Sequence, residues 1–366
     1  MQHVLAQHQT VPGEAPAPDF QRLALPVPGT ACIASPDYHI WCGTMTATTD
    51  GLYHVLFSRW RRGWGFNGWA THSEVTYAVG PTSAGPFEVK HPALPARGGD
   101  YWDGDVTHNP CVLKIRDKFY LYYTGNCGNG HWRAEADPRK VEVNGDWWSH
   151  RNAQRVGVAV ADHPAGPWTR FDQPLIDVEP GHFITAVPVI SERLDGRFML
   201  VYKTVTPGEP PFGGNVRHRM AVADSPLGPF KTLDMPFPVE ARTQFPLDDH
   251  MEWCQDGRYY AIVKDCQEKF VPYQDEMVLL QSPDAVHWEL AAQPLVMPGR
   301  VIRWADGRSQ SFKRLEMPKV YLENGKPKVL LLAALDTSVQ VAEGEWLERF
   351  DGAEHSCNIQ VPLATV

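Results

Sequence analysis

The chain has 366 residues, 43% of them hydrophobic and 11% aromatic, and a formal net charge of −9. Such a composition supplies an ordinary buried core and excludes a disordered chain. The acidic balance excludes a nucleic-acid partner, which calls for a basic face, and the absence of a membrane-length apolar stretch excludes a membrane partner. Residues 1–20 lack the charged start and apolar centre of a secretory signal, so the sequence as written reads as cytoplasmic; a chain whose signal had been removed would be periplasmic or secreted. Seven cysteines without a C-x-x-C pair read as reduced thiols, not as a disulfide framework or a zinc site.

In chain order, residues 1–20 read as a flexible arm and 21–366 as one all-β domain. Five strand–turn–strand units follow the arm. PDYHIWCGTM from Pro36 leads into DGLYHVLFSRW from Asp50, and THNPCVLKI from Thr107 into DKFYLYYTGN from Asp117. TAVPVISER from Thr185 leads into DGRFMLVYKTV from Asp195, DDHMEWCQ from Asp248 into DGRYYAIVKDC from Asp256, and LEMPKVYLE from Leu315 into NGKPKVLLLAA from Asn324. Asp-Gly or Asn-Gly ahead of a β-branched and aromatic run is a strong hairpin signal, because the tight turn needs positive φ. A third strand then runs into a Gly-Pro-aromatic signature ending at Phe87, Trp168 and Phe230, with a weaker form from Glu276. The aromatic is expected to plug the seam between neighbouring units.

Strand, hairpin, strand, hairpin, strand and an aromatic closer describe one blade of a propeller. Five of them predict a single five-bladed β-propeller. The turns stand at 50, 117, 195, 256 and 324, wider than the ~40–45 residues of a bare blade, so the surplus belongs to loops. NIQVPLATV from Asn358, with a strand near Arg22–Pro26, is expected to close the ring.

In a five-bladed ring the innermost strands meet at the axis, so residues opening those strands converge. Blade I supplies Asp37 and Trp41, blade II Asp103, Asp105, His108 and Asn109, blade IV Asp248, Asp249, His250 and Glu252, and blade V Arg314 and Glu316; blade III offers only Thr185 and Ala186. Carboxylates gathered in this way repel one another and resist desolvation, which points to a site. Glycoside hydrolysis needs such a set: one carboxyl protonates the leaving oxygen and another activates water or attacks the anomeric carbon. Two insertions, around Trp60, Trp64, Trp69 and His72 and around Trp147, Trp148 and Arg151, read as walls against which a sugar stacks. Basic residues recur beside these places, among them Arg59, Arg151, Arg155, Lys203 and Arg219, and raise the alternative of a substrate carrying an acidic group.

The blade pattern, Asp37 ahead of the first inner strand, His108-Asn109-Pro110, the acidic opening of blade IV and the closer Ser225 to Phe230 together resemble the five-bladed glycoside hydrolases of families 43, 32, 62 and 117. The resemblance runs from about Ala31 to the end of the chain. It implies Asp37 as base and Asp248 or Asp249 as acid, with Glu252 close behind. Those relatives carry a pKa-tuning Asp in blade III, where this chain has none, so the role passes to Asp103 or Asp105; a His acid, as in family 117, would fall on His250 or His108. The resulting expectation is an exo-acting, inverting glycoside hydrolase with catalytic Asp37, Asp105, Asp249 and Glu252. Its substrate-binding set is Trp41, Trp69, His72, Asp103, His108, Asn109, Arg151, Lys203, His250 and Glu316. The partner is a carbohydrate, and the oligomeric state is left open. No cofactor or catalytic metal is required, although relatives keep an axial ion such as a structural calcium. A glycoside phosphorylase and a non-catalytic carbohydrate-binding propeller are the alternatives.

Overall fold

The computed structural model describes residues 16–128, 141–143, 145–209, 213–239, 243–267, 270–273, 275–336 and 355–365. Five four-stranded antiparallel sheets follow one another along the chain. Their innermost strands are Tyr38–Ala47, Val106–Ile115, Thr185–Glu192, Leu247–Gln255 and Arg314–Glu323, and each forms a hairpin with the next strand in sequence across one of the five turns. This is the expected five-bladed β-propeller. Among the described residues no helix is long and apolar enough to cross a membrane.

Each blade has four strands, one more than the three-strand unit inferred from the sequence. The fourth strand begins just past the closing aromatic in the first three blades: Glu88–Leu94 after Phe87, Thr169–Arg170 after Trp168 and Lys231–Thr232 after Phe230. Two of these strands have only two residues, and the seven-residue Glu88–Leu94 contains Pro92 and shows no alternating burial, so the sequence shows the turn and hides the strand. The Gly before each Pro has positive φ (+88° at Gly166), where a Cβ is disfavoured. Phe87 packs with residues of blades I and V, and Trp168 with residues of blades I and II, so both plug seams as expected. Both aromatics are partly buried, so each brings a part of the about 1.5–3 kcal/mol of a fully buried apolar side chain to the joints between blades.

Blade V closes the ring from both ends of the chain. His355–Pro362 pairs with Lys326–Asp336, and Cys32–Ile33 adds the outermost strand in the register Cys32↔Ile359. The closing strand therefore lies beyond Arg22–Pro26. That segment instead begins in a helical turn, Phe20–Leu23, capped by the Asp19 carboxylate on the Arg22 amide, and makes a single bridge between Ala24 and Leu363. Residues 1–15 of the expected arm lie outside the described residues. Phe20 is buried, edge-on to Trp253 at 6.1 Å.

Candidate active site

Every innermost strand carries an irregularity at the same place. Register shifts fall between Trp41 and Gly43, His108 and Cys111, Ala186 and Val189, Asp248 and His250, and Glu316 and Lys319. The residue at each bulge has positive φ: Cys42 (40°), Asn109 (50°), Val187 (53°), Asp249 (40°) and Met317 (55°). An L-residue there costs about 1–2 kcal/mol, and a β-branched one such as Val187 is a true outlier. Bulges re-aim side chains, and strain of this kind gathers at functional sites. The five residues form an axial ring. Asn109 Nδ2 donates to Cys42 Sγ at 3.2 Å, and Asp249 Oδ2 accepts from the Met317 amide at 3.1 Å.

The residues one step before the bulge are Trp41, His108, Ala186, Asp248 and Glu316. Among the described residues at and just before the bulges, the carboxylates come from blades IV and V. Asp248 accepts from Lys203 Nζ at 2.7 Å, and Glu316 is ion-paired with Lys264. Burial would raise both acids, but the lysines override it and hold them below the ordinary carboxylate range. For Asp249 the balance is reversed. Burial, then the negative charges of Asp248 and Glu316, push its pKa up to about 7. One carboxyl kept protonated beside ionised ones is the division of labour acid–base catalysis requires.

Several expected site residues stand elsewhere. Asp37 is exposed at the lip of blade I, because the bulge falls at Cys42, further along the strand. Asp103 is wholly buried and takes up Arg97 at 2.5 Å, Arg170 at 3.2 Å and the Tyr123 hydroxyl at 2.7 Å; with its lone pairs so occupied it is a structural hub, not a ligand for substrate. Glu252 is buried further along its strand, with neither oxygen hydrogen-bonded among the described residues, and burial pushes its pKa well up. His250 is fully buried, with Nε2 3.2 Å from the Val201 carbonyl, and faces the seam toward His218. Burial holds His250 and His108 as neutral imidazoles, His108 at about 3. Neither suits the acid role. His108 lies between the Ser73 hydroxyl (2.7 Å) and the Cys42 thiol (3.7 Å).

The remaining residues surround the axis. Trp41 is buried against Phe66 at 5.0 Å between ring centres, and the Arg314 guanidinium lies 5.7 Å from the centre of the same Phe66 ring. Trp69 covers His108 at 5.6 Å and meets Trp147 edge-on at 5.5 Å. The two aromatic insertions are thereby joined, with the Val141 amide on the Trp64 carbonyl (2.8 Å) and Trp147 Nε1 on the Asn67 carbonyl (3.0 Å). Arg151, on the helix Gly145–Asn152, lies over Trp148 and senses the charge of Asp248. His72 stacks on Trp64 at 4.0 Å. Asp105 accepts from the Gly128 amide at 2.9 Å, lies 3.4 Å from His150, and with His72 lines a cavity of ≈ 450 Å³ between blades I and II.

The axial ring is legible in part: Pro follows the bulge residue at Asn109, Val187 and Met317, and aligning the other two blades on those prolines finds Cys42 and Asp249. The ring brings two sulfurs and an aliphatic to the axis. Calcium seeks six to eight oxygens, so this donor set does not fit it. Among the described residues no group of three or more His, Cys, Asp or Glu side chains is arranged to hold a metal.

No protein-family model matches the chain, and no curated protein matches it in sequence. Solved structures do match in architecture. A family 117 glycoside hydrolase from the marine bacterium Zobellia galactanivorans aligns over 93% of this chain and 89% of its own, with a TM-score of 0.56 and 16% identity. BT0996, solved as a complex with RGII, aligns over 93% of both chains at a TM-score of 0.63 and 13% identity. A thermostable family 43 glycoside hydrolase covers 92% of this chain and 91% of its own, at 0.53 and 12%. The resemblance to families 43 and 117 is thus one of fold, a five-bladed propeller shared along nearly the whole chain.

Proposed function

We propose that the chain is a glycoside hydrolase that removes a terminal sugar from an oligo- or polysaccharide with inversion. The observation that carries this reading is Asp249, a buried carboxyl with its pKa pushed up to about 7 beside the ionised Asp248. Asp249 is the proton donor to the leaving oxygen. Asp248 and Glu316 keep the proton on it and offer negative charge to an oxocarbenium-like transition state. Water activation is assigned to Asp105, which combines burial with access to the cavity between blades I and II. Asp37, exposed just ahead of the first inner strand, is the other candidate base. The joined insertions of blades I and II wall off one side of the axis, which favours a pocket and exo action over an open cleft. A non-catalytic binding propeller would gain nothing from the destabilising protonation of Asp249.

The test is a screen of aryl glycosides and oligosaccharides with the product anomer read by NMR. Inverted product from the wild type, with loss of turnover in Asp249→Asn and Asp105→Asn, supports the reading; retained product removes the inverting assignment. One observation favours a second reading. Lys203, Lys264, Arg314 and Arg151 surround the axial acids, and a phosphorylase would use such cations to hold phosphate. Turnover that vanishes in phosphate-free buffer would select it.

A further inference from the structure

A second cavity, ≈ 420 Å³, opens in the seam between blades III and IV. It is lined by His182, Arg217, His218 and Arg219 from blade III and by Asp234 and Phe237 from the segment leading to blade IV. Four polar atoms of these lining residues have no hydrogen-bond partner among the described residues: Nδ1 and Nε2 of His218, Nδ1 of His182 and Nε of Arg219. His218 is 3% exposed. A buried donor or acceptor left unmade costs about 1–3 kcal/mol, so four at one cavity point to a polar occupant.

The chemistry of the lining narrows that occupant. Arg219 spends one Nη2 on Glu179 at 3.3 Å, and Arg217 donates from Nη1 to the Val216 and Thr243 carbonyls. Burial keeps His218 neutral, with its pKa at about 3, and burial together with Arg219 lowers that of His182. A neutral imidazole presents one donor and one acceptor. His218 therefore suits a hydroxyl, which both donates and accepts, and the Asp234 carboxylate accepts from another. Arg219 suits a carboxylate. A bare phosphate, with only one or two protons to donate and more negative charge, suits the Asp234 carboxylate and the imidazole acceptors less well than sugar hydroxyls do. The cavity is also tied to the axis: Lys203, which holds Asp248, is the cross-strand partner of His218.

We propose that this cavity is a subsite for a sugar bearing a carboxylate, a uronic acid, with Arg219 on the carboxylate and His218 on a ring hydroxyl. The proposal deepens the glycosidase reading and rests on it for the substrate class. Its test needs no turnover. Binding of free glucuronate, galacturonate, glucose and inorganic phosphate is measured by calorimetry to wild type, Arg219→Gln, His218→Phe and Asp249→Asn. One or both uronates are expected to bind at least tenfold more tightly than glucose. Arg219→Gln, on a partly exposed side chain, should reduce that binding at least tenfold, with folding checked by circular dichroism; His218→Phe should weaken it, and Asp249→Asn should leave it unchanged. Equal binding of glucose and the uronates, undiminished uronate binding in Arg219→Gln, or binding of phosphate alone would each overturn it. Failure here leaves hydrolysis of neutral glycosides standing, whereas uronate binding without hydrolysis of any glycoside would fault the catalytic reading alone.

Discussion

Replacing Asp249 by Asn should make the protein more stable at neutral and alkaline pH while removing its activity. Asn keeps the acceptor for the Met317 amide and removes the ionisable proton. The Asp249 carboxyl moves from 3.8 to about 7 through burial and the charges of Asp248 and Glu316. Below pH 3.8 folded and unfolded chains are both protonated there, and no penalty exists. Between 3.8 and about 7 the unfolded chain releases the proton and the folded one retains it, so stability falls as pH rises. Above 7 the penalty is complete, about 4 kcal/mol for a displacement of this size. Urea unfolding of wild type and Asp249→Asn at pH 4, 6 and 8 should show a gain of about 2–4 kcal/mol at pH 8 that disappears at pH 4. A difference independent of pH, or an Asn variant less stable than wild type at pH 8, would refute the assignment of a displaced proton to this residue.

Three further outcomes follow from the same geometry. The kcat/KM profile should fall above about pH 7 as Asp249 loses its proton, and Asp248→Asn, which removes the first of the neighbouring charges that raise it, should move that limb to lower pH. Asp103→Asn should destabilise the fold by about 3–5 kcal/mol, the range for a broken buried ion pair, because Arg97 and Arg170 lose their shared partner; per folded molecule, turnover should be unchanged. Trp69→Ala should raise KM about three- to tenfold, consistent with about 0.5–1.5 kcal/mol for an aromatic contact, with little change in kcat.

The propeller can be read from the sequence because its signal is local and repeated: a turn, then a β-branched run, five times. Of the elements that escape, three are too short to show a period. Cys32–Ile33 closes the ring with two residues, and Thr169–Arg170 and Lys231–Thr232 are no longer. The site is legible by blade but not by residue. A strand pattern shows which residues open an inner strand, but not where a bulge turns a side chain toward the axis, and so it favours Asp37 over the position of Cys42. Asp103 is indistinguishable from Asp105 in sequence; its partners Arg97, Arg170 and Tyr123 separate the two, and none is near it in the strand pattern. Glu252 and His250 share a strand with Asp249, yet both are buried within the fold beyond the bulge. The pairing of Asp248 with Lys203, which leaves Asp249 as the protonated member, is a cross-blade contact that no local spacing encodes.

The most direct measurement compares sugar release by wild type, Asp248→Asn and Asp249→Asn from a panel of neutral and acidic glycosides in phosphate-free buffer, with folding checked by circular dichroism. Release by the wild type, reduced at least a hundredfold in folded Asp249→Asn, is the predicted result, in line with the ~10²–10⁴-fold contribution of a general acid. Undiminished release by Asp249→Asn, or no release from any glycoside by the wild type, would contradict an axial glycosidase centred on that carboxyl.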